Sequence, residues 1–285
     1  MADIWTVQKV LNWTVEYFTS KNIPESRLSA ELLLAQVLNC KRIELYLQFE
    51  RILSKTELAE YRSFVQRRAQ REPVQYILGE TEFMGLPFKV SPAVLIPRPD
   101  TELLVDCAIE FLKEAGLQQP RLLDIGTGSG CIAVSLAKNF PDAALWAVEK
   151  SPQALANAEE NARLNETAIH FIEGDFFEWY ANFNDKFNSI VTNPPYISDA
   201  DWSSVQPEVR QFEPEAALRG GEDGMDFYRR FIPLANNLLE ANGAVFLETG
   251  YNQARDVAGI LEKNGLKTEI RKDYRQLERV VIGRK

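Results

Sequence analysis

Histidine occurs once in this chain, at His170, and cysteine only three times, at Cys40, Cys107 and Cys131. A single imidazole leaves no credible zinc cluster and no Ser/His/Asp triad. Chemistry must run without an imidazole base unless His170 supplies it, and its place at the end of a short alternating run fits a structural role. The cysteines form no CxxC pair, and their odd number argues against a disulfide framework, so ordinary buried thiols are expected. No run of about 18 uncharged apolar residues is present. Met1-Ala2-Asp3-Ile4 carries no basic segment followed by an apolar stretch. The chain is therefore expected to be neither exported nor membrane-spanning, and cytoplasmic. Low-complexity tracts are also missing, and 45% hydrophobic with 26% charged residues sits near the globular average. A fold running through the whole chain is expected.

Positive charge is scarce in one part of the chain. The net charge is −9, yet residues 1–95 hold 12 basic against 11 acidic side chains, leaving 20 against 30 in the remainder. An acidic C-terminal part argues against a face that embraces long nucleic acid, and no stable nucleic-acid binding is expected. A protein partner or a small substrate fits better. With 285 residues, one large domain and a smaller one are expected.

The periodicity changes along the chain. Ile4, Val7, Leu11, Val15 and Phe18 recur at helical spacing, and Pro24 is placed to open a second helix burying Leu28, Leu32 and Leu33. Ser54-Lys55-Thr56-Glu57 is a capping box ahead of Leu58, Tyr61 and Val65. Residues 1–80 thus read as a small helical bundle. Within its last helix Arg62, Arg67, Arg68 and Arg71 form a basic cluster, suited to an acidic partner or to a solvated helix face. Residues 81–95 read as a β-hairpin linker, with Gly85-Leu86-Pro87 at its turn.

From residue 96 onward helices and short apolar strands alternate. Asp100 or Thr101 is placed to cap a helix through Leu112. Strands are expected at Arg121 to Ile125, Ala144 to Val148, Ile169 to Ile172, Ser189 to Thr192 and Ala244 to Leu247, with helices at about 152–164, 225–239 and 252–264. Apolar strands separated by helices imply a parallel sheet covered on both faces, a doubly wound α/β domain.

Two motifs carry chemistry. Asp124-Ile125 leads from the first strand into Gly126-Thr127-Gly128-Ser129-Gly130, where glycines let the backbone turn tightly and approach a ligand. Glycine recurs every second residue, unlike the dinucleotide fingerprint G-x-G-x-x-G. S-adenosylmethionine carries a cationic amino-acid end, a ribose and an adenine but no phosphate, so its site calls for carboxylates. Glu149, 23 residues after Gly126, ends the second strand and is placed to accept from the ribose hydroxyls. Asp175 ends the third, placed for the adenine amino group, with Phe176 to pack on the ring. The second motif, Asn193-Pro194-Pro195-Tyr196, follows the fourth strand. Two prolines stiffen that loop and leave carbonyls free to accept. A conjugated nitrogen is a poor nucleophile. If the Asn193 side-chain oxygen and the Pro194 carbonyl each accept one of its N–H groups, its lone pair is aimed and the developing positive charge is stabilised. Tyr196 is then placed to lie on the planar group.

Taken together, these segments resemble the class I S-adenosylmethionine-dependent methyltransferases that modify amino groups on conjugated systems. More narrowly, the chain resembles the peptide chain release factor glutamine N5-methyltransferases over essentially its whole length. Further similar stretches are Pro73 to Gly79, Ile96-Pro97-Arg98-Pro99-Asp100-Thr101-Glu102, Phe212-Glu213-Pro214 and Gly220-Gly221-Glu222-Asp223-Gly224. The resemblance implies a Rossmann-like, mostly parallel seven-stranded sheet, with residues 1–80 as a substrate-docking domain and residues 96–285 as the methyltransferase domain. It implies S-adenosyl-L-methionine as cofactor and S-adenosyl-L-homocysteine as its product. Gly126 to Gly130, Glu149, Asp175, Phe176 and Asn193 are implied to contact the cofactor. Asn193 to Tyr196 are implied to hold the glutamine of a release factor's Gly-Gly-Gln loop, with Asn193, Pro194 and Tyr196 catalytic and Pro97 to Glu102 guiding that loop. A tryptophan is also usual after Asp175; Phe176 keeps the stacking surface. The tetrapeptide alone is shared with N6-adenine methyltransferases of DNA and RNA, the alternative reading.

Overall fold

The computed structural model describes residues 4–183 and 185–285, and it divides into two compact units. Residues 1–79 together with 206–212 form one, and residues 80–205 with 213–285 form the other.

The first unit is helical. Helix α1, Val7–Ser20, starts where the Thr6 side chain accepts from the Lys9 N–H, so Ile4 precedes the helix and is 63% exposed instead of continuing its apolar face. Helix α2, Ser26–Val37, opens after Glu25 in a left-handed conformation, not at Pro24, and buries Ala30, Leu33 and Leu34 fully while Leu28 and Leu32 stay part-exposed. Helix α3, Lys55–Ala69, has the expected capping box between Ser54 and Glu57. A short helix α4, Val74–Leu78, ends at Gly79. Phe18, Leu33, Leu34, Leu45, Tyr61 and Val65 fill the core between them. The arginine cluster is used inside the unit: Arg67 pairs with Glu72, and Arg68 and Arg71 both pair with Glu208. Only Arg62 of the four is left as a solvated position.

The second unit begins with strands β1, Glu80–Phe83, and β2, Leu86–Lys89, an antiparallel hairpin whose turn residues Met84 and Gly85 are both left-handed. Phe83 and Phe88 are 1% and 0% exposed and belong to the unit's core, so this hairpin packs as a piece of the unit it introduces. Helix α5, Pro99–Ala115, has Pro99 in its first turn and Arg98 as its cap; neither Asp100 nor Thr101 caps it, because the helix starts ahead of them and both lie inside its first turn.

There follow β3 Arg121–Ile125, α6 Cys131–Asn139, β4 Ala144–Glu149, α7 Pro152–Leu164, β5 His170–Glu173, α8 Phe176–Trp179 and β6 Phe187–Thr192. Helix α9, Pro207–Phe212, is the piece that joins the helical unit. The chain closes with α10 Asp226–Leu238, β7 Leu239–Glu248, α11 Ala254–Lys263, β8 Lys267–Lys272 and β9 Glu278–Arg284. The seven-stranded sheet has the order β5-β4-β3-β6-β7-β9-β8, parallel from β5 to β7 and antiparallel on both sides of β9.

Alternate strand residues serve two cores. Leu122, Phe246 and Ile282 face α5 and α6, whereas Leu123, Val245 and Val281 face α10 and α11. Burial on both faces is why these strands read as unbroken apolar runs. The order reverses beside β3, and the carboxyl ends of β3, β4 and β6 flank the crevice created there.

Candidate active site

A cavity of about 460 Å³ opens at that crevice, within the usual range for a small-molecule site. Its wall includes Gly126, Thr127, Gly128, Ser129, Glu149, Asn193, Pro194 and Pro195, so the structure brings the glycine loop, the second-strand acid and the front of the tetrapeptide to one place.

The glycine loop needs its glycines. Gly126, Gly128 and Gly130 all have positive φ, and a Cβ on Gly130 would lie 3.1 Å from the Cβ of Ala158 in α7. Behind the loop Asp124 is wholly buried; its Oδ2 accepts from the Thr127 hydroxyl at 2.6 Å, and its Oδ1 has no partner among the described residues. Burial pushes this carboxyl up to about 7, against the pull of the Thr127 hydroxyl and the Ala133 N–H. Glu149 presents a carboxylate to the cavity. One oxygen accepts from the Gly128 N–H and the other from the Ser151 N–H, both at 2.9 Å. Each oxygen keeps acceptor capacity for a ligand hydroxyl.

Asp175 and Phe176 do not line the cavity. The Asp175 carboxylate caps α8 by accepting from the Phe177 N–H at 2.9 Å and pairs with Lys150, a cavity residue, at 3.0 Å. Burial would raise the Asp175 carboxyl, but these two donors outweigh it and hold it below the usual range. Phe176 is buried among Phe177, Tyr180 and Phe231.

The tetrapeptide is clamped. The Asn193 side-chain nitrogen donates to the Thr101 hydroxyl at 3.1 Å, which leaves Oδ1 as the free acceptor of that amide. The Tyr196 carbonyl accepts from Gln253 Nε2 at 2.9 Å, and Ile197 exchanges backbone hydrogen bonds with Leu218 and Gly220. The Gly220 to Gly224 stretch lies directly against it: a Cβ on Gly220 would be 2.7 Å from the Pro195 carbonyl oxygen. Tyr196 itself packs partly buried against the α10 core, outside the cavity wall.

The strip Ile96 to Thr101 contributes Pro97, Arg98 and Thr101 to the cavity, held by Glu213, whose carboxylate accepts from the Ile96 N–H and pairs with Arg98. Cys131 also lines the wall, but burial pushes its thiol up to about 12, and all three cysteines are free. Among the described residues no group of three or more His, Cys, Asp or Glu could hold a metal ion, and no helix is long and apolar enough to cross a membrane.

Two positions escaped the sequence reading. Asn161, buried in α7, accepts from the Lys89 N–H and donates to the Lys89 and Ser129 carbonyls, tying the hairpin to the glycine loop. Glu248 ends the apolar strand β7 and is buried beside the tetrapeptide. Each is a polar residue in an otherwise apolar or helical stretch, which is the signal that could have found it.

A seven-stranded sheet of this order, with a glycine loop and an acid at successive strand ends, defines a class I methyltransferase. The family descriptions that match are the PrmC N-terminal domain, over residues 9–79, and the methyltransferase small domain, over residues 100–210. The release factor glutamine methyltransferase of Geobacter sulfurreducens is 46% identical over 283 residues, covering 99% of this chain and 98% of that one. That of Chlorobaculum tepidum is 40% identical over 285 residues, covering 97% and 96%. A Thermus thermophilus 16S rRNA N2 G1207 methyltransferase, solved with AdoMet and guanosine, shares the fold at a TM-score of 0.53 and 21% identity, covering 72% of this chain and 49% of that one. The chain belongs to the release factor glutamine methyltransferase family.

Proposed function

We propose that this enzyme moves a methyl group from S-adenosylmethionine to the side-chain amide nitrogen of the glutamine in the Gly-Gly-Gln loop of peptide chain release factors, in the cytoplasm. The observation that carries the reading is the meeting of Glu149 and the glycine loop with the Asn193 and Pro194 acceptors in one cavity. S-adenosylmethionine, when bound, supplies an electrophilic methyl on a sulfonium. Glu149 accepts from its ribose hydroxyls with the capacity left on each oxygen, and the loop backbone makes room for its amino-acid end. Asp175, beside Lys150 at the cavity's edge, takes the adenine end, with Phe176 stiffening the turn that carries it.

Asn193 Oδ1 and the Pro194 carbonyl receive the two N–H groups of the glutamine amide. Their pull localises the nitrogen lone pair and stabilises the charge that grows on nitrogen as the new C–N bond forms. The amide nitrogen gains a methyl and gives up one proton to solvent, so no strong base is needed before attack. The helical unit docks the release factor, and Pro97 to Glu102 guide its loop. Incubation of the protein with methyl-labelled S-adenosylmethionine and a release factor, followed by mass spectrometry of the Gly-Gly-Gln peptide, tests this. One added methyl on the glutamine is expected. Label found only on adenine of added nucleic acid would replace this reading with an N6-adenine methyltransferase.

A further inference from the structure

Asparagine disfavours a helix interior, because its short amide competes for nearby backbone groups, yet Asn161 stands inside α7 with 0% of its surface exposed. Its amide serves two distant segments. Oδ1 accepts from the Lys89 N–H at 2.6 Å, and Nδ2 donates to the Lys89 carbonyl at 2.9 Å and to the Ser129 carbonyl at 2.8 Å. Asn157 Oδ1 lies near the same nitrogen at 3.3 Å. One orientation alone satisfies these partners, since an N–H only donates and a carbonyl only accepts; a flipped amide would set oxygen against oxygen.

The hairpin side of this bridge is a firm anchor. Glu102 of α5 accepts from the Met84 N–H at the turn at 2.7 Å, Asn165 donates to the Pro87 carbonyl of β2 at 2.9 Å, and Phe83 and Phe88 lie in the core. The other side is the last peptide of the glycine loop. The Gly130 carbonyl already accepts from the Val134 N–H of α6 at 2.8 Å, whereas the Ser129 carbonyl stands one residue ahead of that ladder and takes its donor from Asn161. Ala158, three residues before Asn161 on the same face of α7, closes on the next residue, where a Cβ on Gly130 would lie 3.1 Å from its own. Asn161 thus grips the carbonyl and Ala158 blocks the glycine of a single peptide unit.

We infer that Asn161 is a positioning residue for the cofactor site, bracing Ser129 against the hairpin so that the loop keeps the Gly128 N–H on Glu149. The inference rests on the reading that this loop and Glu149 receive S-adenosylmethionine. Ser129 is 3% exposed and lines the cavity, so a carbonyl deprived of the Asn161 donor can reach water only by turning toward that cavity. Such a turn puts an oxygen into the ligand's space and draws the neighbouring Gly128 N–H off the Glu149 carboxylate, which it meets at 2.9 Å. Asn165 supplies the contrast: it grips the same hairpin from the same helix, but its side chain donates to the Pro87 and Asn161 carbonyls and not to the loop.

Asn161→Leu and Asn165→Leu, each compared with the unaltered protein, test this. N161L keeps the side-chain volume nearly constant while removing the donor, and should weaken S-adenosylmethionine binding by calorimetry about 10- to 100-fold. Its KM for S-adenosylmethionine should rise in step, with kcat at saturating cofactor within about threefold of native. N165L should lower Tm yet leave cofactor affinity native, which a merely structural role for Asn161 does not predict. A third measurement needs no variant. If the Asn161 bond favours cofactor binding, cofactor must in turn favour the bond, so saturating S-adenosylmethionine should slow hydrogen exchange of the Asn161 side-chain amide in the unaltered protein. That measurement decides even if N161L does not fold. Native affinity in N161L, an equal loss of affinity in N165L, or amide exchange indifferent to cofactor overturns the inference. Failure of the unaltered protein to bind S-adenosylmethionine would instead strike the proposed function, so the two failures are distinguishable.

Discussion

Replacing Gly224 by alanine places a methyl group where the tetrapeptide already is. The ideal Cβ would lie 2.2 Å from the Tyr196 carbonyl oxygen and 2.4 Å from Gln253 Nε2, the two atoms that bond to each other across this point. Contacts below 3.0 Å are essentially unknown for real Cβ atoms, so the carbonyl has to retreat by about 0.8 Å, and the Gln253 hydrogen bond is lost or badly bent. Gly224 also has φ 78°, where a side chain costs about 1–2 kcal/mol. With about 1 kcal/mol more for the hydrogen bond, the loss of stability should be about 2–3 kcal/mol. That corresponds to a fall in Tm of roughly 4–12 °C for a unit of this size.

The effect on turnover should be larger than on cofactor affinity. Tyr196 is three residues from Asn193 in a stiff loop, and a displacement approaching 1 Å at the acceptor pair can cost on the order of a hundredfold in rate. The assay is thermal unfolding together with kcat on a release factor and calorimetric affinity for S-adenosylmethionine. Gly259→Ala is the control: a Cβ there meets nothing within 4 Å inside α11, so it should be neutral or stabilising by up to about 1 kcal/mol. Native turnover and native Tm in Gly224→Ala would refute the idea that this stretch clamps the loop from behind.

Glu149→Ala should weaken S-adenosylmethionine binding by about 1.5–3 kcal/mol through loss of charge-assisted acceptors; unchanged calorimetric affinity would remove Glu149 from the cofactor site. Asn193→Ala should leave cofactor affinity roughly intact and lower kcat about a hundredfold or more, whereas a native rate would reduce the tetrapeptide to a turn. Phe88→Ala empties a fully buried position of the hairpin and should destabilise the catalytic unit by about 3–5 kcal/mol in urea unfolding; a loss below about 1 kcal/mol would mean the hairpin is not part of that core.

The local chemistry of the catalytic unit was readable from residue order alone. Arg121 to Ile125 is a strand with those bounds, the glycine loop leads into a helix, and the tetrapeptide stands at the end of β6, because apolar runs, glycine turns and caps act over a few neighbouring residues. The Ser54 cap formed for the same reason. What lay beyond reach depends on contacts between distant segments. Strand β9 enters the sheet between β7 and β8, which no periodicity announces. Helix α9 leaves the catalytic unit to supply Glu208 to Arg68 and Arg71, turning an apparent surface cluster into an internal one. Phe176 reads as a stacking ring in sequence, but the aromatic cluster around Phe231 buries it. Asn193 announces itself in the tetrapeptide, while its partner Thr101 comes from 92 residues away on another element. Local pattern thus determines which segments form and where the chemistry-bearing residues sit on them. Which side chains meet, and so which end of the Asn193 amide is left free, is decided only when the sheet closes and water is excluded from Thr101, since a buried polar group must take whichever partner the packed chain brings to it.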